Sequence, residues 1–179
     1  MASGLSGQNL EIEDVYKHYT DLSESLRLYF SASNPDCTIR FAGEPEAAVE
    51  DAFRDRLSEV EMSYTLSLLA SLEASFMVDY ILRCKLKRKD AVSRALRLVY
   101  KRKRERASLQ DDILNAWKNN TTGSTRVIGD MIGAFNFRHW LAHGRYWVPK
   151  LGRRYDFFSV YGLAAEVLNS FPLEGVQTN

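Results

Sequence analysis

From Pro45 to Lys89 the chain runs without a glycine or an internal proline, and Val49, Phe53, Leu57, Val60, Tyr64, Leu68, Leu72, Phe76 and Tyr80 recur through it every three or four residues. That spacing is the period of an α-helix, and Pro45 suits a helix's first turn. One long helix ending near Lys89 is the reading. Its apolar stripe has to be covered by other helices, because an amphipathic helix is stable only when that face is buried.

The rest of the chain supplies such partners. Ile12, Val15, Tyr16, Tyr19, Leu22, Leu26 and Phe30 keep the same spacing and predict a first helix from about Leu10 to about Phe30. Ser33-Asn34-Pro35-Asp36 reads as a turn, Cys37 to Phe41 as a brief extended piece, and Gly43-Glu44-Pro45 as a break, with no true sheet expected. Asp90 can cap a third helix whose apolar face is Ala91, Ala95, Leu98, Leu109, Ile113, Leu114 and Trp117, with a charged turn in its middle. After the turn at Asn119-Asn120-Thr121-Thr122-Gly123, Ser124 can cap a fourth helix carrying Ile128, Met131, Ile132, Phe135 and Trp140, which Gly144 stops. Asp156 can cap a short last helix with Val160, Leu163, Ala164, Val167 and Leu168. The expected fold is all-α: an antiparallel bundle of four main helices plus a short C-terminal helix. Residues 10–171 are expected to form one domain between a loose N-terminal tail at 1–9 and a C-terminal tail at 172–179.

Composition narrows the function. A formal net charge of +1 gives no global attraction to nucleic acid, so any such affinity must come from a local patch. The two cysteines, Cys37 and Cys84, have neither metal-ligand nor redox spacing and favour a reducing cytoplasm. Residues Met1 to Asp14 are Gly/Ser-rich and then acidic, unlike a secretion signal, and the most apolar window, Leu66 to Leu82, is interrupted by Glu73 and Asp79, each costly in lipid. No membrane partner is expected.

The chemistry-bearing stretch is Asn136-Phe137-Arg138-His139-Trp140-Leu141-Ala142-His143-Gly144-Arg145-Tyr146-Trp147, which holds two of the chain's three histidines. RNA carries its own nucleophile, the 2′-hydroxyl, so an enzyme must remove that proton, stabilise charge on the phosphorane and help the 5′-oxygen leave. His143 suits the acid or base role, and Arg138 suits a fork-shaped grip on the phosphate. Residues five apart on one helix diverge by about 140°, so either the helix distorts or Arg138 of one subunit works with His143 of another. His139 and His143 do share a face. Two roles are open to them, a metal pair lacking a third ligand and, preferred here, a cleft in which His139 is a second polar group.

Arg138-His139-Trp140-Leu141-Ala142-His143 resembles the R-x4-6-H motif of the HEPN superfamily, in which the residue after the Arg is often Asn, Asp or His. The resemblance implies a helical bundle that dimerises with two motifs across one cleft. It also implies metal-independent endoribonuclease activity without a cofactor, in a toxin or phage-defence effector held in check by an antitoxin or other regulatory partner. Family toxins paired with a nucleotidyltransferase antitoxin often show H-x-Y after the motif, whereas His143 here is followed by Gly144, Arg145 and then Tyr146.

Supporting positions have two readings each. Glu73, in an apolar stretch, either orients Arg138 or a histidine across the bundle or points to solvent. Arg145 is a phosphate contact or an end-of-helix cation. Gly129 and Gly133, one turn apart, allow close approach of another helix, within the core or across a dimer seam. Between Arg83 and Arg106 lie twelve of the twenty-four Lys and Arg residues, opposed only by Asp90 and Glu105. Lys101, Arg102, Lys103 and Arg104 are the core of this run, which is an RNA-steering patch or a solvated helix face. Trp140, Tyr146 and Trp147 can stack on an unpaired base or serve the core. Beside the ribonuclease reading stand a non-catalytic helical module that dimerises or binds nucleic acid, and a metal-dependent hydrolase using His139 and His143.

Overall fold

The computed structural model describes residues 5–122 and 125–176. It is all-α, with no strand among the described residues. In chain order the helices are α1 (Ile12–Tyr29), α2 (Pro35–Arg40), α3 (Glu46–Leu86), α4 (Ala91–Lys103), α5 (Asn115–Asn120), α6 (Thr125–Ala142) and α7 (Phe157–Ser170). A 3₁₀ turn (Arg104–Arg106) and a π-helical turn (Leu109–Leu114) lie between α4 and α5.

The uninterrupted apolar period produces α3, and every other long helix packs along it. Ser71 Oγ donates to the Leu10 carbonyl, Tyr19 lies edge-on to Tyr64 at 6.0 Å, and Phe30 meets Phe53 at 5.4 Å, so α1 runs antiparallel to α3. Ion pairs Arg138–Glu73 and Arg145–Glu59 give the α6 end of the chain the same antiparallel sense. The last helix differs. Phe157 N–H donates to Glu61 while Phe171 lies 5.8 Å from Phe76, so α7 runs alongside α3 in the same direction and antiparallel to α1 and α6. The core gathers around the C-terminal half of α3, where Leu68, Leu72, Phe76 and Tyr80 meet Leu96, Ile113, Trp117, Ile128, Met131 and Phe157, all essentially without solvent contact. By length and composition α3 could cross a membrane, but half of its most apolar window is buried inside this fold.

Caps set the boundaries. Asp90 accepts from Ser93 N–H at 2.9 Å, and Asp156 forms a capping box with Ser159 at the start of α7. Beyond α6, Gly144 takes φ +80° and Arg145 N–H returns to the Trp140 carbonyl, closing the helix end. The proposed cap at Ser124 lies outside the described residues.

Three sequence expectations are corrected. Cys37 to Arg40 is helical rather than extended, because the Asn34 side chain caps Asp36 N–H and Pro35 supplies a preformed first turn. The third helix is divided at its charged middle turn into α4, the 3₁₀ turn, the π-turn and α5; Ile113, Leu114 and Trp117 are buried as expected, but the buried face of α4 is Val92, Leu96 and Val99 rather than Ala91, Ala95 and Leu98, and Leu98 is exposed. Residues 172–176, expected as a tail outside the domain, are docked onto it. Asp79, with no solvent contact, accepts from Arg83 Nε and from Glu174 N–H, both at 2.7 Å, while Arg83 donates to the Pro172 carbonyl and lies over Trp117. A second ion pair, Arg88–Glu174 at 2.8 Å, holds the same segment. Burial pushes the Asp79 carboxyl above its ordinary range, outweighing Glu174 N–H, Arg83 and the Trp117 indole, which favour the charged form. Neither Asp79 Oδ2 nor Trp117 Nε1 reaches normal hydrogen-bond geometry.

Candidate active site

Arg138 and His139 are consecutive residues near the end of α6, and they open into one concavity of about 230 Å³. Its other walls are Glu73 and Phe135 and, from the chain leading into and through the π-turn, Ser108, Leu109, Gln110 and Asp111. Arg138 Nη2 lies 3.0 Å from Glu73 Oε2, so the carboxylate in the apolar stretch of α3 does point at the arginine. Both side chains are about one third exposed, at 36% and 32%. The contact is a single-point ion pair, and Arg138 Nε is buried without a partner. Most of the guanidinium's donors are therefore uncommitted, in a half-screened setting where an added phosphate oxygen would be attractive.

The histidines behave as their spacing requires. Both are exposed, and their ring centroids lie 4.2 Å apart on the same face of the helix end. His143 N–H bonds to the His139 carbonyl at 3.1 Å, so the helical path continues through it without distortion. His143 stands over the His139 ring and is not a wall of the Arg138 concavity. Within one chain, Arg138 and His143 are separated as the helical wheel demands. Among the described residues no group of three or more His, Cys, Asp or Glu side chains converges, so the histidine pair has no third donor beside it.

The loop after α6 is pinned by Trp140, whose Nε1 donates to the Trp147 carbonyl at 2.7 Å and whose ring stacks on Phe137. Trp147 lies 5.9 Å from His139 and meets Tyr146 edge-on at 4.6 Å, and Tyr146, 84% exposed, is the aromatic of this loop most open to a base. Arg145 is committed: its two terminal nitrogens meet Glu59 at 2.8 and 2.9 Å, and that hydrogen bonding holds the Glu59 carboxyl below its ordinary range. It anchors the loop to α3 and does not face Arg138. Gly133 does not admit a helix, since a Cβ there would sit 2.1 Å from the Tyr155 hydroxyl, whereas Gly129 faces open space.

The basic run ends in an exposed turn. Arg102, Lys103, Arg104, Glu105 and Arg106 surround a concavity of about 580 Å³, and Lys101 is exposed on α4 just before it. Lys103 is paired with Asp112 at 2.8 Å, and Arg104 adopts φ +50°, held by Tyr80 Oη donating to its carbonyl at 2.7 Å. Periodicity did not reveal the wall of Ser108 to Asp111, because a π-turn has no repeating apolar signature. Cys37 and Cys84 are free, and burial pushes the Cys84 thiol up to about 11, away from nucleophilic use.

The chain matches no protein-family model, no curated protein and no solved structure.

Proposed function

We propose that this chain is a metal-independent endoribonuclease that cleaves RNA by attack of the substrate's own 2′-hydroxyl, in the manner of the HEPN proteins its motif resembles. The observation that carries the reading is an arginine with spare donors at the wall of a cleft, next to two exposed histidines whose rings lie 4.2 Å apart. Arg138 holds the scissile phosphate and the charge that develops on it. His143 moves the proton, His139 is the second polar group of the cleft, and Glu73 orients the guanidinium. No cofactor enters the scheme. The biological role is that of a cytoplasmic toxin or defence effector with RNA as substrate and an antitoxin or other regulatory protein as its restraint.

The working unit is a homodimer. On one chain His143 packs beside His139 and is not a wall of the Arg138 concavity, so a two-fold axis is the simplest way to bring an imidazole of one copy opposite an arginine of the other. Gly129, Asn136, His139 and His143 form an exposed stripe on α6, and the open space at Gly129 lets a second copy come close. The test mixes inactive Arg138→Ala protein with inactive His143→Ala protein under conditions of subunit exchange. A site shared across subunits regains part of its cleavage on mixing. No recovery from a protein that light scattering shows to be dimeric would assign each pair to a single chain.

The alternative, a non-catalytic nucleic-acid-binding module, is favoured by the basic turn, whose cations need no chemistry in the cleft to attract a phosphate backbone. Binding of RNA with no cleavage by wild-type protein would select it.

A further inference from the structure

The basic turn and the Arg138 cleft are two ends of one surface, and α3 sets the distance between them. Glu73 and Tyr80 are seven residues apart on α3, which puts them on one face, two turns and about 10 Å apart along the axis. Tyr80 fixes the turn through the Arg104 carbonyl, and Glu73 meets Arg138. The chain joining the two ends is short and pinned. Ala107 is buried, Ser108 N–H donates to Asp112 at 2.8 Å, and the chain from Ser108 to Asp111 walls the cleft. Lys103 clamps the turn to this wall through Asp112.

Charge along the path is uneven. Among the described residues, Arg102, Arg104 and Arg106 make no close ion pair, although the charge of Arg102 helps hold the Asp112 carboxyl below its ordinary range, and Glu105 is the one acid lining their concavity. Glu73 and Asp111 are the acids of the cleft end, where Arg138 is the one cation. A phosphate is therefore welcome along the turn and, within the cleft, only at Arg138. Between the two ends Gln110 carries an amide with both donors and an acceptor, and it makes no side-chain hydrogen bond among the described residues.

Building on the ribonuclease reading, we infer that Arg102, Arg104 and Arg106 hold the backbone of the same single RNA strand whose scissile phosphate lies at Arg138, on one side of the cut, with Gln110 facing a base between. The cleft, at about 230 Å³, is too small for a duplex, so the strand enters with its bases unstacked. A strand of two nucleotides carries one internucleotide phosphate, so that phosphate cannot meet Arg138 and the arginines of the turn together.

The experiment measures fluorescence anisotropy of uncleavable, fluorescein-labelled 2′-O-methyl oligouridines of two and eight nucleotides across a salt series in excess chelator. The proteins are wild type, Arg138→Ala, and a triple variant carrying Arg102→Gln, Arg104→Gln and Arg106→Gln with the structural Lys103 untouched. Thermal melts establish that each remains folded. The eight-nucleotide strand should lose about tenfold or more in affinity in the triple variant, with its log–log salt slope flattened by about two, and should weaken in Arg138→Ala as well. The two-nucleotide strand should respond to one of the two changes alone. A long strand that ignores the triple variant, or that responds to it but not to Arg138→Ala, overturns the shared track. Because the strands cannot be cut, the track stands or falls separately from catalysis: long-strand binding as predicted with no cleavage of ordinary RNA would refute the ribonuclease reading and leave the track in place.

Discussion

Replacing Asp79 by alanine should be among the most damaging single changes in the molecule. Asp79 has no solvent contact, and its carboxylate satisfies both Arg83 Nε and Glu174 N–H at 2.7 Å. Removing it leaves Arg83, 5% exposed, as a buried cation whose Nε has lost its partner. Breaking a buried pair costs about 3–5 kcal/mol. Arg83 keeps Ser93 at 3.2 Å, Asp90 at 3.4 Å and the Pro172 carbonyl, which puts the expected loss at the lower end, about 3 kcal/mol. In a domain of this size that lowers the melting temperature by about 6–12 °C. Residues 172–176 should also become more open to proteolysis, since the Glu174 N–H anchor is lost while the Pro172 carbonyl and the Arg88–Glu174 pair remain. Asp79→Leu combined with Arg83→Met removes both charges and should recover to within about 2 kcal/mol of wild type. Urea titration and scanning fluorimetry measure both variants. An Asp79→Ala shift under about 2 °C, or a double variant no better than the single, would refute the buried-pair argument. The pH dependence carries a definite sign. Burial raises the folded carboxyl above its unfolded value, so this group's contribution to stability is complete below about pH 4 and is lost as pH rises through the folded value. Relative to Asp79→Asn, wild type should therefore lose ground as the pH of the melt is raised from 3 to about 7.

Gly133→Ala should destabilise by about 1–3 kcal/mol, because the new methyl meets the Tyr155 hydroxyl and that ring is held in a stack on Phe137; Gly129→Ala, facing open space, should stabilise the isolated chain by up to about 1 kcal/mol. Urea midpoints of the two variants moving in the same direction would contradict this. Arg104→Gly should raise the melting temperature by about 2–4 °C, since glycine takes φ +50° without strain, while weakening affinity for single-stranded RNA. Equal or lower thermal stability would show that the turn is unstrained.

What the sequence disclosed, and what it hid, follows from the range of the interactions. The first helix and α3, each with an apolar face of three- and four-residue period, were legible nearly end to end, and the Asp90 and Asp156 caps fell where short polar side chains precede such a face. Thr38 and Ile39 suggest extended chain by their β-branched shape, but the Asn34 cap and Pro35 together outweigh propensity over six residues. Around residue 104 the chain turns through a conformation that no periodicity announces. Glu73 and Arg138 meet across 65 positions of sequence, and only the cost of a carboxylate among apolar neighbours hinted that Glu73 has a partner. The Asp79–Arg83 spacing of four residues is the same as that of any surface pair, so its burial and the docked C-terminal segment could be seen only once α3, α5 and the segment after α7 were assembled. Arg145 stood open between a phosphate contact and an end-of-helix cation because its partner, Glu59, is 86 residues away in sequence.

The most direct test of the central claim incubates purified protein with RNA in excess chelator and analyses the 3′ ends of the products. Attack by the 2′-hydroxyl should yield fragments ending in 2′,3′-cyclic phosphate, and Arg138→Ala and His143→Ala should each abolish them while melting within about 2 °C of wild type, as expected for exposed or half-exposed side chains outside the core. Intact RNA in the wild-type reaction, cleavage that appears only on adding metal, or undiminished cleavage by either variant would contradict the account.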